Sequence, residues 1–258
     1  MSKSTFAGRQ QGAHAQFGGG RTQARLPKLV LLPGLHGTEA LLAEFRAALG
    51  NDIETQAIEY PRERPLDYAE LAAFARARLP LGRPFVLLGE SFSGPVAIQL
   101  AAQRLQGLRG LVLSTTFAAN PRPALARFAK YALALPPQAV PMSVTEFFLL
   151  GRWATRKLRA DFTRVLGEVD ADVLSARLAA CLTVDVREHL ARIAVPTLYL
   201  RAGADRLVPA AAAEVISAGV AQAQVTTLEG PHCLLQAIPA QAARVVKEFA
   251  GKLPAGRM

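Results

Sequence analysis

From Lys28 onward the chain alternates short, continuous apolar runs with longer stretches whose apolar residues recur at helical spacing. Residues 29–32 are an apolar run of strand length, closed by Pro33-Gly34. Thr38 is placed to cap a helix reaching Leu49, with Leu41, Leu42, Phe45 and Leu49 on one face. Residues 53–58 form a second predicted strand. Asp67 is placed to cap a helix carrying Tyr68, Leu71, Phe74 and Leu79 and ended by Pro80. Residues 85–88 form the third strand, a helix over 96–102 follows, and 111–113 is the fourth strand.

The alternation stops at residue 118. No strand is predicted from there to about 190, and Pro121, Pro123, Pro136, Pro137 and Pro141 divide the segment into helical pieces. These are predicted over 124–135, from Ser143, over 161–169 and over 172–182. Ser143-Val144-Thr145-Glu146 has the form of a capping box. The pattern resumes with a fifth strand at 195–200, a helix opened by Pro209 over 210–218, a sixth strand at 225–228 and a last helix over 234–253. Strands alternating with helices imply parallel strands joined by crossovers, and continuous apolar runs imply a sheet covered on both faces. The expected organisation is an α/β core over 27–117 and 191–258, interrupted by a helical segment over 118–190.

Residues 1–26 carry Lys3, Arg9, Arg21 and Arg25, no acidic residue and no periodicity, and read as a flexible tail. A tail without a continuous apolar segment is not a secretory signal, and with only two cysteines the expected location is the cytoplasm. No apolar run reaches the roughly 18 residues of a membrane span. The chain has 30 basic and 20 acidic residues, yet no basic motif interleaved with aromatics, so a nucleic-acid partner is not expected. The spacing of Cys181 and Cys233 suggests no metal site.

Gly89-Glu90-Ser91-Phe92-Ser93-Gly94 lies between the third strand and its helix. A serine at such a corner is held on a sharp turn with its hydroxyl above the carboxyl edge of the sheet. The motif usually reads G-x-S-x-G; here Ser93 stands at the second glycine, as tolerated variation at a small-residue position. A serine needs a base, and His232 follows the sixth strand, at the same edge. Asp205 follows the fifth strand and can orient that base. Asp185 and Glu229 are weaker candidates. His14 lies in the tail and His189 in a helical stretch. Cys233 reads as a packed bystander and His36 as a loop-stabilising residue near the site.

The order Ser91, Asp205, His232, together with Leu32-Pro33-Gly34-Leu35-His36-Gly37, Gly203-x-Asp205 and Gly230-Pro231-His232, resembles the α/β-hydrolases over roughly residues 28–253. The similarity is greatest to lidded serine carboxylesterases related to the pimeloyl-carrier-protein methyl ester esterase. Many members have His-Gly where this chain has Pro33-Gly34, and many have an additional amino-terminal hairpin. The resemblance therefore implies an α/β-hydrolase fold with a mostly parallel sheet of about six strands flanked by helices and a helical lid over 118–190. It implies backbone oxyanion donors at Leu35 and Phe92, and no cofactor or metal.

The implied activity is hydrolysis of a small-molecule carboxylic ester through an acyl-enzyme. His36, Phe128, Phe147, Phe148 and Trp153 are candidate pocket residues. The basic stretch Arg152, Arg156, Lys157 and Arg159 reads as a solvated helix face, or as a dock for an acidic carrier protein. The alternatives are a thioesterase acting on acyl carrier protein or coenzyme A, a cofactor-free haloperoxidase, a carbon–carbon bond hydrolase, and a catalytically silent binding protein on the same fold. Ser91 disfavours the haloalkane dehalogenases and epoxide hydrolases, whose nucleophile is an aspartate.

Overall fold

The structure, a computed structural model, describes Met1, residues 26–125 and residues 140–254. Strands β1 (Lys28–Leu32), β2 (Thr55–Ala57), β3 (Phe85–Glu90), β4 (Leu108–Ser114), β5 (Thr197–Ala202) and β6 (Ala223–Leu228) form one six-stranded sheet. Their order is β2-β1-β3-β4-β5-β6, and every neighbouring pair is parallel. The helices in chain order are α1 (Ala43–Leu49), α2 (Tyr68–Arg76), α3 (Gly94–Ala101), α4 (Met142–Leu149), α5 (Arg156–Gly167), α6 (Ala171–Thr183), α7 (Ala210–Gly219), α8 (Leu234–Ala237) and α9 (Pro239–Lys252). Among the described residues, no helix is long and apolar enough to cross a membrane.

The continuous apolar strands are explained by two cores. Val30, Leu32, Leu87, Leu111 and Tyr199 point to one face, where they meet Leu71, Val96, Leu100 and Ile216 of α2, α3 and α7. Their neighbours Leu29, Leu31, Val86, Leu88, Val112 and Leu198 point to the other, against Phe45, Leu49, Val246 and Phe249 of α1 and α9. Each fully buried side chain of this size contributes roughly 1.5–3 kcal/mol, so the central strands dominate the stability of the fold. The edge strand β6 mixes half-buried and exposed residues, and so carries a weaker signal.

The chain runs from β1 outward to β2 and returns to β3 on the opposite side of β1. This reversal leaves a crevice beyond the carboxyl ends of β1 and β3, where open parallel sheets bind ligands. Leu32 pairs with Gly89, so the turn after β1 and the corner after β3 emerge side by side.

Local differences from the expected elements have physical causes. Asp67 caps α2 in a complete capping box with Glu70. The expected box at Ser143 does not form: α4 begins one residue earlier, at Met142 after Pro141, so Ser143 lies inside the helix. The helix expected over 161–169 starts at Arg156, because the Thr155 side chain accepts from the Leu158 amide. Thr38 accepts from the Ala40 amide, and a 3-10 turn over Ala40–Leu42 precedes α1. The terminal helix divides into α8 and α9 where Pro239 opens a new first turn. The predicted tail, apart from Met1 and Leu26, and nearly all of the helix over 124–135 fall outside the described residues.

The segment between β4 and β5 is joined near its ends by a bridge between Ala119 and Asp185. Among the described residues, its helices share apolar contacts with the sheet domain. Leu150, Phe162 and Val165 pack with Leu41 and Cys233, while Val173 and Leu174 pack with Leu35.

Gly94 admits α3 next to β4: a Cβ there would lie 1.8 Å from Thr116 Oγ1 and 2.5 Å from Thr116 Cγ2. Gly94→Ala is expected to lose about 2–3 kcal/mol by overpacking, and the double variant with Thr116→Ala to recover part of that loss. Urea denaturation of the three proteins measures both changes.

Candidate active site

Ser91 stands at the corner between β3 and α3 with φ 47°, a left-handed backbone that a serine adopts only under constraint. The constraint comes from Thr116, whose hydroxyl donates to the Ser91 carbonyl at 2.5 Å. The result aims Ser91 Oγ at His232 Nε2, 2.8 Å away. His232 Nδ1 lies 2.9 Å from Asp205 Oδ2 and 3.1 Å from Oδ1. An ionised carboxylate only accepts, so Nδ1 carries the proton and Nε2 presents its lone pair to the Ser91 hydroxyl. The Asp205 carboxylate is itself fixed by the amides of Leu207 and Val208, which donate to Oδ1 at 2.8 and 2.9 Å. His232 and Asp205 side chains are only 4% and 5% exposed, so water competes little for these bonds.

The alternative carboxylates lie elsewhere. Asp185 pairs with Arg187, and Glu229 is exposed and pairs with Arg152. Arg206 does not pair with Asp205; its guanidinium donates to the Phe147 carbonyl at 2.6 Å. His189 lies half-buried in a 3-10 turn over Arg187–Arg192. Burial, followed by the nearby Glu90 and Asp205 carboxyls, holds the Cys233 thiol well above its usual range, so it is no thiolate nucleophile.

The turn at 33–37 is held against this corner by several bonds. Ser93 Oγ donates to the Pro33 carbonyl and lies 2.8 Å from the Tyr60 hydroxyl. The Gly37 carbonyl accepts from the Tyr60 amide, and the Gly37 amide donates to the Gly34 carbonyl. Ser93 therefore has a task that a glycine could not perform, which corrects its reading as tolerated variation. Among the described residues the Leu35 amide has no acceptor, and Leu35 lines the cavity above Ser91. Phe92, the residue after the serine, lines the same cavity.

His36 is buried, and its Nδ1 accepts from the Thr38 amide at 3.2 Å. Burial, with the added repulsion of Arg177 and Arg62, lowers its pKa to about 3. The ring is neutral at ordinary pH and carries its proton on Nε2. Glu90, just before Ser91, is buried and takes a 2.8 Å bond from Gln236 Nε2, joining the end of β3 to α8 beyond His232. Burial raises its pKa.

The cavity measures about 810 Å³. Its lining includes Ser91, His232, His36 and Glu90, and much of the rest is apolar, as at Phe117, Met142, Phe162 and Leu174. Of the candidate pocket residues, His36 and Phe148 line it. Phe147 and Trp153 instead line a smaller neighbouring hollow of about 170 Å³, which Phe148 also borders. Phe128 falls outside the described residues. Among the described residues, no group of three or more His, Cys, Asp or Glu side chains is placed to hold a metal ion.

Tyr60, Gln236 and Arg177 are participants that the sequence did not single out, and the task of Ser93 was not read from it. Ser93 alone carried a visible signal, its departure from the glycine of the motif. Arg177 resembles any polar residue on an amphipathic helix until the packing is known.

Because His36 has a depressed pKa in the fold, its contribution to stability is complete above about pH 6.5 and is lost as pH falls from there toward 3. His36→Asn retains an acceptor for Thr38 but does not titrate. Between pH 7 and 5 the wild type is expected to lose more unfolding free energy than this variant, as measured by urea denaturation at each pH.

A model of the alpha/beta hydrolase family matches residues 29–248. A hydrolase from Pseudomonas aeruginosa shares 26% identity and superposes with a TM-score of 0.71, covering 88% of this chain and 91% of that one. An esterase from Exiguobacterium antarcticum superposes at 0.75 with 15% identity, covering 87% and 91%, which shows the fold alone. A stretch of 112 residues is 38% identical to part of the AMB antimetabolite synthetase AmbE of Pseudomonas aeruginosa; it is 40% of this chain and 5% of that much longer protein. With the parallel sheet and the Ser91 corner in place, the family match over 29–248 establishes that this chain belongs to the alpha/beta hydrolase family.

Proposed function

We propose that the protein is a serine hydrolase that cleaves carboxylic esters through an acyl-enzyme. The observation that carries this reading is the chain of hydrogen bonds from Ser91 through His232 to Asp205, at the crevice beyond β1 and β3. In this reading Ser91 Oγ attacks the ester carbonyl while His232 Nε2 takes its proton, and Asp205 stabilises the imidazolium. The carbonyl oxygen becomes an oxyanion and accepts from the amides of Leu35 and Phe92. As the tetrahedral species collapses, the bond to the alcohol breaks, and His232 returns the proton to the leaving oxygen. Water, deprotonated by His232, then attacks the acyl-Ser91 carbonyl, releasing the acid and restoring the serine. Every proton in this cycle moves between Ser91, His232, substrate and water, so the reading assigns no cofactor.

The helices between β4 and β5 act in this reading as a lid. They touch both loops that carry His232 and Asp205: the Cys233 amide donates to the Leu149 carbonyl, and Arg206 donates to that of Phe147. The apolar lining of the cavity supports an acyl group of medium or greater length. The basic stretch is largely matched within the chain, Arg152 by Glu229, Lys157 by Glu44 and Asp161, and Arg159 by Glu146. This matching favours a small ester over a carrier-bound substrate.

Two measurements on p-nitrophenyl esters test the proposal. Ser91→Ala is expected to lower kcat at least about 10³-fold with an unchanged thermal melt. In the wild type, kcat/KM is expected to rise at least tenfold from acetate to octanoate, since each buried methylene is worth about 0.8 kcal/mol. Undiminished activity in the Ser91 variant contradicts the nucleophile, and a preference for acetate contradicts the acyl class. An octanoyl thioester assayed alongside the oxygen ester separates esterase from thioesterase, and a folded protein inactive on both is a binding protein.

A further inference from the structure

Among the described residues Arg177 is the largest fully buried side chain, only 1% exposed, and it comes from α6 in the segment between β4 and β5. Its guanidinium donates from Nη1 to the Leu35 carbonyl at 2.7 Å and from Nη2 to the Pro61 carbonyl at 2.9 Å. It lies 5.7 Å from the centre of the Tyr60 ring and 6.0 Å from that of Phe92. The fit is close: a Cβ on Gly37 would lie 2.6 Å from Nη1. No carboxylate pairs with Arg177 among the described residues, and the undescribed stretches contain no Asp or Glu.

A buried charge without a counter-ion is costly, and an apolar side chain of similar volume would fill the same space at less cost. The expense falls where a positive charge would be useful. The Leu35 carbonyl that it grips belongs to a cavity-lining residue whose amide has no acceptor among the described residues, and the Phe92 ring belongs to the residue after Ser91. Burial lowers the pKa of Arg177 to about 10, which leaves the guanidinium charged at working pH.

We propose that Arg177 is a positioning residue for ester hydrolysis: its forked bonds hold the turn at 33–37 so that the Leu35 amide stays aimed at the oxyanion, with its charge behind that turn. The proposal rests on the hydrolase reading above. It also makes the helical segment a structural part of the oxyanion site, because the fork is delivered from α6.

The test compares wild type, Arg177→Met and Arg177→Lys as full chains on p-nitrophenyl octanoate, with octylboronic acid as an inhibitor that becomes tetrahedral on a serine. Arg177→Met is expected to lower kcat about 30-fold, less than the 10²–10³ of a deleted oxyanion donor, with KM changed less than threefold. The boronic acid is expected to bind at least tenfold more weakly. Arg177→Lys, which keeps the charge but not the fork, is expected to fall between the two. A well-folded Met variant with kcat within twofold of wild type overturns the proposal. So does a fall in kcat without any loss of boronic acid affinity, which is what a merely structural role would give. If the Met variant does not fold, the Lys variant decides: an intermediate kcat with weakened boronic acid binding supports the proposal, and wild-type values overturn it. Ester hydrolysis that survives Ser91→Ala overturns the hydrolase reading and this proposal together, whereas wild-type kinetics in the Arg177 variants overturn this one alone.

Discussion

The backbone at Ser91 is the constraint on which the rest of the site depends. A non-glycine residue at φ 47° costs about 1–3 kcal/mol and persists only where its surroundings hold it. Here β3, buried along its whole length, fixes the approach to the turn, and α3 fixes the exit by packing Gly94 against Thr116. The Thr116 hydroxyl then holds the Ser91 carbonyl. The stability of the sheet is thereby converted into the direction of one hydroxyl.

The second organising fact is the reversal of strand order between β1 and β3. It brings the turn at 33–37 beside the serine, and the fold reinforces that juxtaposition with polar bonds from separate parts of the chain. Ser93 holds the Pro33 carbonyl, Tyr60 the Gly37 carbonyl, and Arg177 the Leu35 carbonyl. Glu90 and Gln236 join the serine strand to the helix after His232. Ser91, His232 and the turn that carries Leu35 are thus tied together by shared supports.

The sheet and the three residues Ser91, Asp205 and His232 could be read from the chain because each rests on local order. The four central strands were visible as continuous apolar runs, and the three side chains follow β3, β5 and the final strand in turns whose glycines and prolines punctuate the sequence. What escaped notice depends on packing. Arg177 lies on a helix whose pattern does not distinguish a buried guanidinium from a solvated one. The role of Ser93 requires the Pro33 carbonyl, sixty residues earlier, to be known as its neighbour. The expected capping box at Ser143 failed because Pro141 starts the helix first, and the last helix divided at a proline that the apolar period alone passes over. Phe147 and Trp153, expected to line the main cavity, border the adjoining hollow: Phe147 lies in the last turn of α4 and Trp153 in the 3-10 turn over Gly151–Trp153 that follows it.

The most direct test of the central claim, that Ser91 is a nucleophile activated by His232, is labelling with a fluorophosphonate followed by mass mapping of the modified peptide. The account predicts one equivalent of label on Ser91 in the wild type, and labelling slowed at least a hundredfold in His232→Ala with the fold retained. Absence of label from the folded wild type, or label of equal rate in the histidine variant, would contradict it.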